Sequence, residues 1–438
     1  MHNDHERGAQ ASGKRPRWAW YAYDFGNTSV EFAIPLYLTL WIVNDLGVSA
    51  WVFGLASAGS SWAIGLSGPY IGVNADEKHR RRQWFIVSAF TAAVLLASLS
   101  ILPRSGTPAV VTILVVAMVA NYFFQLSSLI YNASMLSAAS GANVVSVSSV
   151  GMGLSFLGGV VGVGVIELVV SGRLIPGISG RSYALVPAAA VFLACAIPSI
   201  FASRLWQKKA EARPGPQGKL HHRIRLVWKE SSRENHAGWF LAGYFALNSS
   251  IMGLTLYLPL HVHAVTGLEG TGLLAVFGVV VLASAAGAGI VAVMRPDGVM
   301  VRRIVLIGLT LLAINAFGFS LVSSLPLVVL CSSVHGLLSG ALVPTVRGAF
   351  AQTFRSDYQA LAFGLFGAVQ RVSQGLGAAL SPLASAAGGD GATAVGIAAM
   401  GAMALFGVPL FSRWRPGISE MVPVSEPEAV AATSQELP

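Results

Sequence analysis

Four ionisable side chains lie inside long apolar runs of this 438-residue chain, namely Asp24, Glu31, Glu167 and Arg371. An ionisable group at the centre of a bilayer costs at least about 2.5–3.5 kcal/mol on insertion scales, so each of them is a candidate functional residue. A buried carboxylate can take up a proton, and a guanidinium can bind an anion. Glu167 lies near one end of its run, and we expect it to reach headgroup water. Three candidates therefore remain.

Asp24 and Glu31 lie seven residues apart in the apolar run 18–43, with Asn27 between them. Seven residues are nearly two helical turns, so the three side chains share one face of a helix. Glu31 falls at the middle of the run and therefore close to the bilayer centre. The sequence predicts one polar stripe on an otherwise apolar helix. Such a stripe either lines a pathway for a solute or an ion, or holds neighbouring helices together.

Arg371 lies at the middle of a later apolar run, 360–384, and should have nearly the same depth as Glu31. We hypothesise that the two face one another, directly or through a substrate or water. Such a pair would neutralise both charges and offer a site for a zwitterion or an anion. If Glu31 is unpaired in one state, it could carry a proton. The alternative is that the Arg371 side chain extends along the helix towards the cytoplasm.

Neutral polar side chains also lie in the middle of apolar runs, namely Asn121, Gln125, Asn248 and His335. Each could contact a solute or make a hydrogen bond between helices. His261 and His263 lie two apart and diverge on a helix, so we expect no metal site. Cys195 and Cys331 are both within apolar runs, and no Ser-His-Asp arrangement is present. We therefore expect neither a cofactor nor an enzymatic activity.

The elements that must position these residues follow from composition. Hydrophobic residues make up 54% of the chain and charged residues 11%, against about 25% charged in a soluble domain. Mean hydropathy is +0.66. A chain with so few charges cannot cover a large core with a charged shell, so a bilayer is the better solvent for it. The long runs are continuously apolar and do not alternate, which favours spanning helices over a β-barrel.

The runs predict an all-α membrane protein with twelve transmembrane helices in two six-helix halves. The spans are 18–43, 51–73, 84–102, 109–136, 145–170, 183–203, 238–261, 270–293, 304–323, 326–346, 360–384 and 391–411. The corresponding divisions are an N-terminal tail (1–17), an N-terminal half (18–203), a linker (204–237), a C-terminal half (238–411) and a C-terminal tail (412–438).

Basic residues indicate the orientation of these spans. On this map 24 of the 28 lysines and arginines, Arg347 among them, lie on the side of the two termini, and only Arg104, Arg173 and Arg181 lie opposite. Because cytoplasmic loops carry the excess of Lys and Arg, both termini should be cytoplasmic. The net charge of +9 follows the loops and forms no single patch, so we expect no nucleic-acid partner. The expected location is the plasma (inner) membrane.

The loop after the second span contains Gly72, Asp76, Arg80 and Arg81, and resembles the loop motif of the major facilitator superfamily. In that motif the glycine permits close helix approach, and the aspartate caps the N-terminus of a neighbouring helix. The basic pair holds the loop in the cytoplasm. The family usually has a second glycine where this chain has His79. The alternative interpretation is an ordinary loop between two spans.

A second resemblance is more specific. The run Trp18–Ser29, with Tyr-Asp-Phe-Gly-Asn-Thr-Ser at its end, resembles the opening of the Atg22-like branch of the major facilitators, which includes vacuolar amino-acid effluxers. Tyr131–Ala133, Gly340–Gly348 and Phe363–Gly364 resemble later parts of that branch. The likeness extends over about residues 18–385. Glu31 departs from the pattern, which is mostly small and apolar after Asn27.

The resemblance implies a monomeric secondary transporter that moves a small polar solute by alternating access. Protons are the candidate coupling ion, and amino-acid efflux is the activity that the Atg22-like branch suggests. No nucleotide-binding motif is present, so a gradient should drive transport. A proton-linked drug exporter or a solute uptake carrier is the alternative within the superfamily. A membrane enzyme or a non-transporting membrane sensor is the alternative outside it.

Overall fold

The computed structural model describes residues 2–48, 50–139, 142–206, 236–268, 270–353, 358–386 and 392–415, together with positions 221, 222, 225, 228 and 229. Within these ranges every long element is a helix. The twelve long helices are α1 (His2–Ala33), α2 (Ala50–Glu77), α3 (Arg81–Ser98), α4 (Thr107–Ala133), α5 (Val144–Val170), α6 (Leu185–Trp206), α7 (Ala237–Thr266), α8 (Gly270–Met294), α9 (Gly298–Leu321), α10 (Leu325–Thr353), α11 (Gln359–Ala386) and α12 (Ala392–Ser412).

Nine of the described helices are long and apolar enough to cross a membrane, and these are α3 to α10 and α12. The remaining three are α1, α2 and α11. Two of them carry the mid-run charges, Asp24 and Glu31 on α1 and Arg371 on α11.

The first helix differs from its predicted span at both ends. It begins at His2, sixteen residues before the expected start, because polarity limits a membrane span but does not end a helix. After Ala33 the chain continues as two π-helical segments, Ile34–Leu38 and Trp41–Asp45. Pro35, at the start of the first segment, has no N–H to donate to the preceding turn. The regular α-helix therefore ends two residues beyond Glu31.

The helices form two six-helix halves, α1–α6 and α7–α12, which meet through a few helix pairs. Across the interface α2 packs on α11, and α5 packs on α8 and α10. Small residues make these approaches close. A Cβ at Gly72 would overlap the backbone of Ala360, and one at Gly68 would lie 3.5 Å from the Cα of Gly364. Backbone therefore meets backbone where the halves touch.

Within the N-terminal half, α1 packs closely on α5. A Cβ added at Gly158 would overlap the carbonyl oxygen of Phe25, and one at Gly162 would overlap the side chain of Ser29. The two glycines lie four residues apart on one face of α5, which the sequence predicts as a close-packing spacing. Gly164, on the same helix, has no atom within 4 Å of the corresponding position. These glycines therefore fix where α1, with its polar stripe, lies against α5.

We expect Gly158→Ala to destabilise the protein by about 2 kcal/mol or more, because the new methyl group forces α1 away from α5. Gly164→Ala is the matched control on the same helix. It should be neutral or stabilising by about 0.5–1 kcal/mol, since alanine is the better helix former. Thermal unfolding of the two purified variants in detergent measures the difference. Equal unfolding temperatures for Gly158→Ala and Gly164→Ala would show that the contact between α1 and α5 can accommodate an extra methyl group.

Candidate substrate and ion translocation site

A buried ion pair joins the two halves of the molecule. Asp24 on α1 is 4% exposed and Arg347 on α10 is 7% exposed. One guanidinium nitrogen of Arg347 donates to Oδ2 of Asp24 at 3.0 Å, and the other donates to Oδ1 at 3.4 Å. The ion pair is therefore bidentate, the geometry that best satisfies the hydrogen-bonding groups of a guanidinium and a carboxylate.

A third helix completes the surroundings of Arg347. Its Nε donates to the Ser148 hydroxyl on α5 at 3.0 Å, and Nη2 donates to the Ser148 carbonyl at 3.0 Å. The Ser148 hydroxyl in turn donates to the carbonyl of Pro344 at 2.8 Å. The ring of Trp20 lies 5.5 Å from the guanidinium carbon. Because a buried ion pair is tolerable only when its remaining donors find partners, this network explains how α1, α5 and α10 hold two charges.

Arg347 corrects the sequence analysis, which counts it with the basic loop residues on the side of the termini. The predicted tenth span ends at residue 346, but α10 continues to Thr353 and encloses Arg347. Hydropathy ends a span at the first charge, whereas the helix ends only where its backbone turns. The signal that could have found this residue is its place in Gly340–Gly348, a stretch that resembles the Atg22-like branch.

The polar stripe of α1 divides between two environments. Asn27 lies one turn above Asp24 and is also buried, and its Nδ2 donates to Oε1 of Glu31 at 2.9 Å. The Ser128 hydroxyl on α4 donates to Oδ1 of Asn27 at 3.0 Å. The Glu31 side chain is exposed, whereas Asp24, seven residues earlier on the same helix, is buried.

Arg371 lies on α11, in the opposite half from Glu31. Its side chain is half-buried, and Nη1 donates to Oε1 of Gln374 at 3.2 Å. Glu31 and Arg371 are near enough for each charge to act on the other. Among the described residues, however, no ion pair joins them. Two opposite charges thus lie near each other on opposite halves, and each is hydrogen-bonded to a neutral amide.

Asn121 connects α4 to α2. Its Nδ2 donates to the Ser60 hydroxyl on α2 at 2.6 Å. Nε2 of Gln125, one turn further along α4, donates to Oδ1 of Asn121 at 3.4 Å. Both side chains are half-buried. Asn121 therefore holds two helices together, whereas Gln125 bonds only within its own helix.

Asn248 and His335 are fully enclosed. Nδ2 of Asn248 on α7 donates to the Ser373 hydroxyl on α11 at 2.7 Å. Nε2 of His335 on α10 lies 3.1 Å from the Thr255 hydroxyl on α7. Asn248 is 3% exposed and His335 is 1% exposed. In this conformation both make interhelical hydrogen bonds and neither is exposed.

The loop motif forms a connection between the halves at the end that carries the termini. The Asp76 carboxylate accepts the backbone N–H groups of Ala360 and Leu361, at 3.0 and 3.1 Å, at the start of α11. Nε of Arg81 lies 2.5 Å from Oδ1 of the same carboxylate. Arg80 is exposed and does not take part. Asp76 thus caps α11 while Arg81 compensates its charge.

His79 explains why a glycine is usual at its position. Its φ is +50°, in the left-handed region that costs an L-residue about 1–2 kcal/mol. Arg295, in the turn between α8 and α9, has a φ of +46°. Each of these two turns thus contains one residue in the left-handed region.

Two further hydrogen bonds between the halves lie at the same end. Asn143 donates to the carbonyl of Pro296 at 2.8 Å, and the Ser146 hydroxyl donates to the carbonyl of Ala292. Together with the Asp76 cap and the Arg347 network, these contacts hold the halves together at the end of the molecule that carries the termini, which we call the fastened end. Glu31 and Arg371 lie farther from the termini than these contacts.

The sequence from residue 24 to residue 296 matches the family model of the Major Facilitator Superfamily. The match covers more than half of the chain, so this protein belongs to the Major Facilitator Superfamily. It is accordingly a multi-pass membrane protein of a family of transporters and not of enzymes. No curated protein matches it significantly.

Solved structures show the same fold at low sequence identity. The human organic anion transporter MFSD10 (TETRAN) superposes with a TM-score of 0.65 at 16% identity, over 91% of this chain and 99% of that one. The E. coli fucose:proton symporter FucP gives 0.67 at 10%, over 92% and 99%. The proton:xylose symporter XylE gives 0.61 at 11%, over 91% and 94%. The fold is thus shared by proteins with chemically different substrates.

We expect Arg347→Gln to destabilise the protein by about 3–5 kcal/mol, because it leaves the Asp24 carboxylate buried without a countercharge. The double variant Asp24→Asn with Arg347→Gln should recover a large part of that loss, since two neutral amides can still bond. Thermal unfolding of the wild type, both single variants and the double variant forms the cycle. Arg295→Gln, at an exposed arginine, is the control. Strictly additive effects would show that the two side chains do not interact.

Proposed function

We propose that this protein is a secondary active transporter of a small zwitterionic or anionic solute, working by alternating access. Residues 18–203 rock against residues 238–411. The observation that carries the proposal is the pair of facing charges, Glu31 and Arg371. They lie on opposite halves, are near enough for each charge to act on the other, and form no ion pair with each other among the described residues. We infer that they line a common cavity between the halves. A solute that contacts both would bind across the interface that has to move.

The chemistry of the two side chains favours an amino-acid-like solute. A guanidinium binds a carboxylate through parallel hydrogen bonds, and a carboxylate binds an ammonium group. The resemblance to the Atg22-like branch points the same way and suggests efflux. Among the proteins of the same fold, one is described as an organic anion transporter. Arg371 could serve an anion without Glu31, so anion transport is the nearest alternative substrate class.

The conformation supports a cycle between two states. If the basic loops are cytoplasmic, the fastened end is the cytoplasmic one and this state faces outwards. Opening inwards then requires the Asp24–Arg347 pair, the Asp76 cap and the Asn143 contact to separate. A ligand shifts such an equilibrium only by its differential affinity for the two states. Binding of the solute, a proton or both at the cavity must therefore offset the lost contacts.

The proposed coupling ion is a proton that binds Glu31. Its carboxylate accepts one hydrogen bond from Asn27 and has no cationic partner within hydrogen-bond distance among the described residues. Protonation would remove a charge from the cavity when no ammonium group is present. We propose that the protein works as a monomer in the plasma membrane with both termini in the cytoplasm. A proton-linked drug exporter and an uptake carrier would use the same gradient with other solutes.

Purified protein in liposomes, screened with labelled amino acids and organic anions, with and without a pH gradient, tests this proposal. We expect flux of at least one amino acid that increases with the gradient. Flux of hydrophobic drugs alone would favour the exporter, and flux only into the compartment of higher pH would favour uptake. No flux of any solute by folded protein would favour a sensor.

Arg371→Ala should lower flux at sub-saturating solute by at least tenfold, because it removes a charge-assisted hydrogen bond worth about 1.5–3 kcal/mol. Arg371→Lys should recover part of this, since the charge remains but the two-pronged geometry is lost. Arg181→Ala is the control, because Arg181 pairs with Asp45 in a half-exposed ion pair away from the cavity. Equal flux from Arg371→Ala and the wild type would remove Arg371 from the site.

Glu31→Gln should abolish the dependence of transport on the pH gradient, because the amide cannot take up a proton. Exchange of solute across the membrane without a gradient should persist in this variant at lower affinity, since Asn27 can still bond to the amide and Arg371 is unchanged, but the charge that binds the ammonium group is lost. Counterflow and gradient-driven flux measured on the same liposomes separate the two activities. Retention of the wild-type pH dependence by Glu31→Gln would contradict the role of Glu31 as the proton carrier.

A further inference from the structure

A groove of about 580 Å³ opens on the outer surface of the C-terminal half, between α9 and α10. Its walls are almost entirely apolar and include Ile307 and Leu311 on α9 and Leu338 on α10. Ile307 is 59% exposed and Leu311 is 46% exposed. In a membrane protein an exposed apolar wall at this depth faces lipid.

The groove has the length of one leaflet. It extends along α9 from Val299 to Leu311, which is about 18 Å at 1.5 Å per residue. Half of the hydrocarbon core of a bilayer is about 15 Å. A single acyl chain lying in the groove would therefore run from the level of the headgroups to about the middle of the membrane.

Two charges of opposite sign lie at the end of the groove nearest the termini, Asp297 and Arg303. Both side chains are exposed. Oδ1 of Asp297 accepts the backbone N–H of Met300 at 2.7 Å and so caps α9. Its other oxygen, and all the guanidinium nitrogens of Arg303, have no hydrogen-bond partner among the described residues. The mouth therefore presents one free carboxylate oxygen and one free guanidinium.

We propose that this groove binds one phospholipid whose headgroup carries both a phosphate and a primary ammonium group, that is, phosphatidylethanolamine. The phosphate lies on Arg303, the ammonium group donates to Asp297, and one acyl chain fills the groove. A choline headgroup has no N–H to donate to Asp297. A glycerol headgroup has no cationic group that could pair with Asp297, and it places a net negative charge beside the Asp297 carboxylate. The proposal depends on the membrane location of the chain and not on what it transports.

Lipid binding to purified protein, followed by native mass spectrometry and by thermal shift, tests the proposal with lipids of identical acyl chains. We expect phosphatidylethanolamine to bind about tenfold more tightly than phosphatidylcholine or phosphatidylglycerol, the effect of one charge-assisted hydrogen bond. Arg303→Gln and Asp297→Asn should each abolish that preference. Asparagine still caps α9, so the second variant keeps the fold. Arg295→Gln is the control, because this exposed arginine of the same loop does not line the groove, and it should keep the preference.

A third variant tests the acyl chain. Ala341→Phe places a ring in the groove and should lower the affinity for all three lipids equally, whereas the headgroup variants should change only the preference. Equal binding of phosphatidylethanolamine and phosphatidylcholine by the wild type would overturn the proposal. So would an unchanged preference in Arg303→Gln, or a protein dimer that forms through this face and excludes lipid.

Discussion

The buried Asp24–Arg347 ion pair is the contact on which the closed end of the molecule depends. Neither charge can be left alone in a low-dielectric interior, because removing one partner costs several kcal/mol. The pair also organises its surroundings, since Ser148 serves the guanidinium and the carbonyl of Pro344 at once. Any movement that separates α1 from α10 must give both charges water or new partners. The two charges thus add a cost to any separation of the halves at this end.

One helix carries both the buried ion-pair carboxylate and the exposed carboxylate of the proposed site. Asp24 belongs to the ion pair, Glu31 is exposed, and Asn27 lies between them and bonds to Glu31 and Ser128. At Gly158 and Gly162 there is no room for a side chain between α1 and α5, so the two helices pack directly on one another. Asp24, Asn27 and Glu31 thus share one helix whose position is fixed by close packing, and this links the proposed site to the ion pair.

The fold was predictable because apolar runs of about 20 residues have one low-energy solution in a bilayer, a helix. The candidate site was predictable only in part. Charges deep inside an apolar run, such as Glu31 and Arg371, can be recognised from the sequence alone, because a charge at the centre of a bilayer has a high free-energy cost. Arg347 does not, because it follows an apolar run directly, and hydropathy cannot tell a helix that continues from a loop that begins. Whether Glu31 contacts Arg371 depends on the conformation of the protein, and the sequence does not indicate which conformation is adopted.

The interface between the halves combines smooth packing with a few specific polar contacts. Where α2 meets α11, Gly68 and Gly72 lie against backbone atoms of α11. Gly348 on α10 likewise lies against the backbone of Val145 on α5. Such surfaces approach closely without interlocking side chains, so they can separate without a rotamer rearrangement. Packing alone would therefore hold the two halves together weakly and without a defined orientation. The Asp76 cap and the Arg347 network supply the specificity, because each depends on a buried charged side chain whose partners lie on the opposite half.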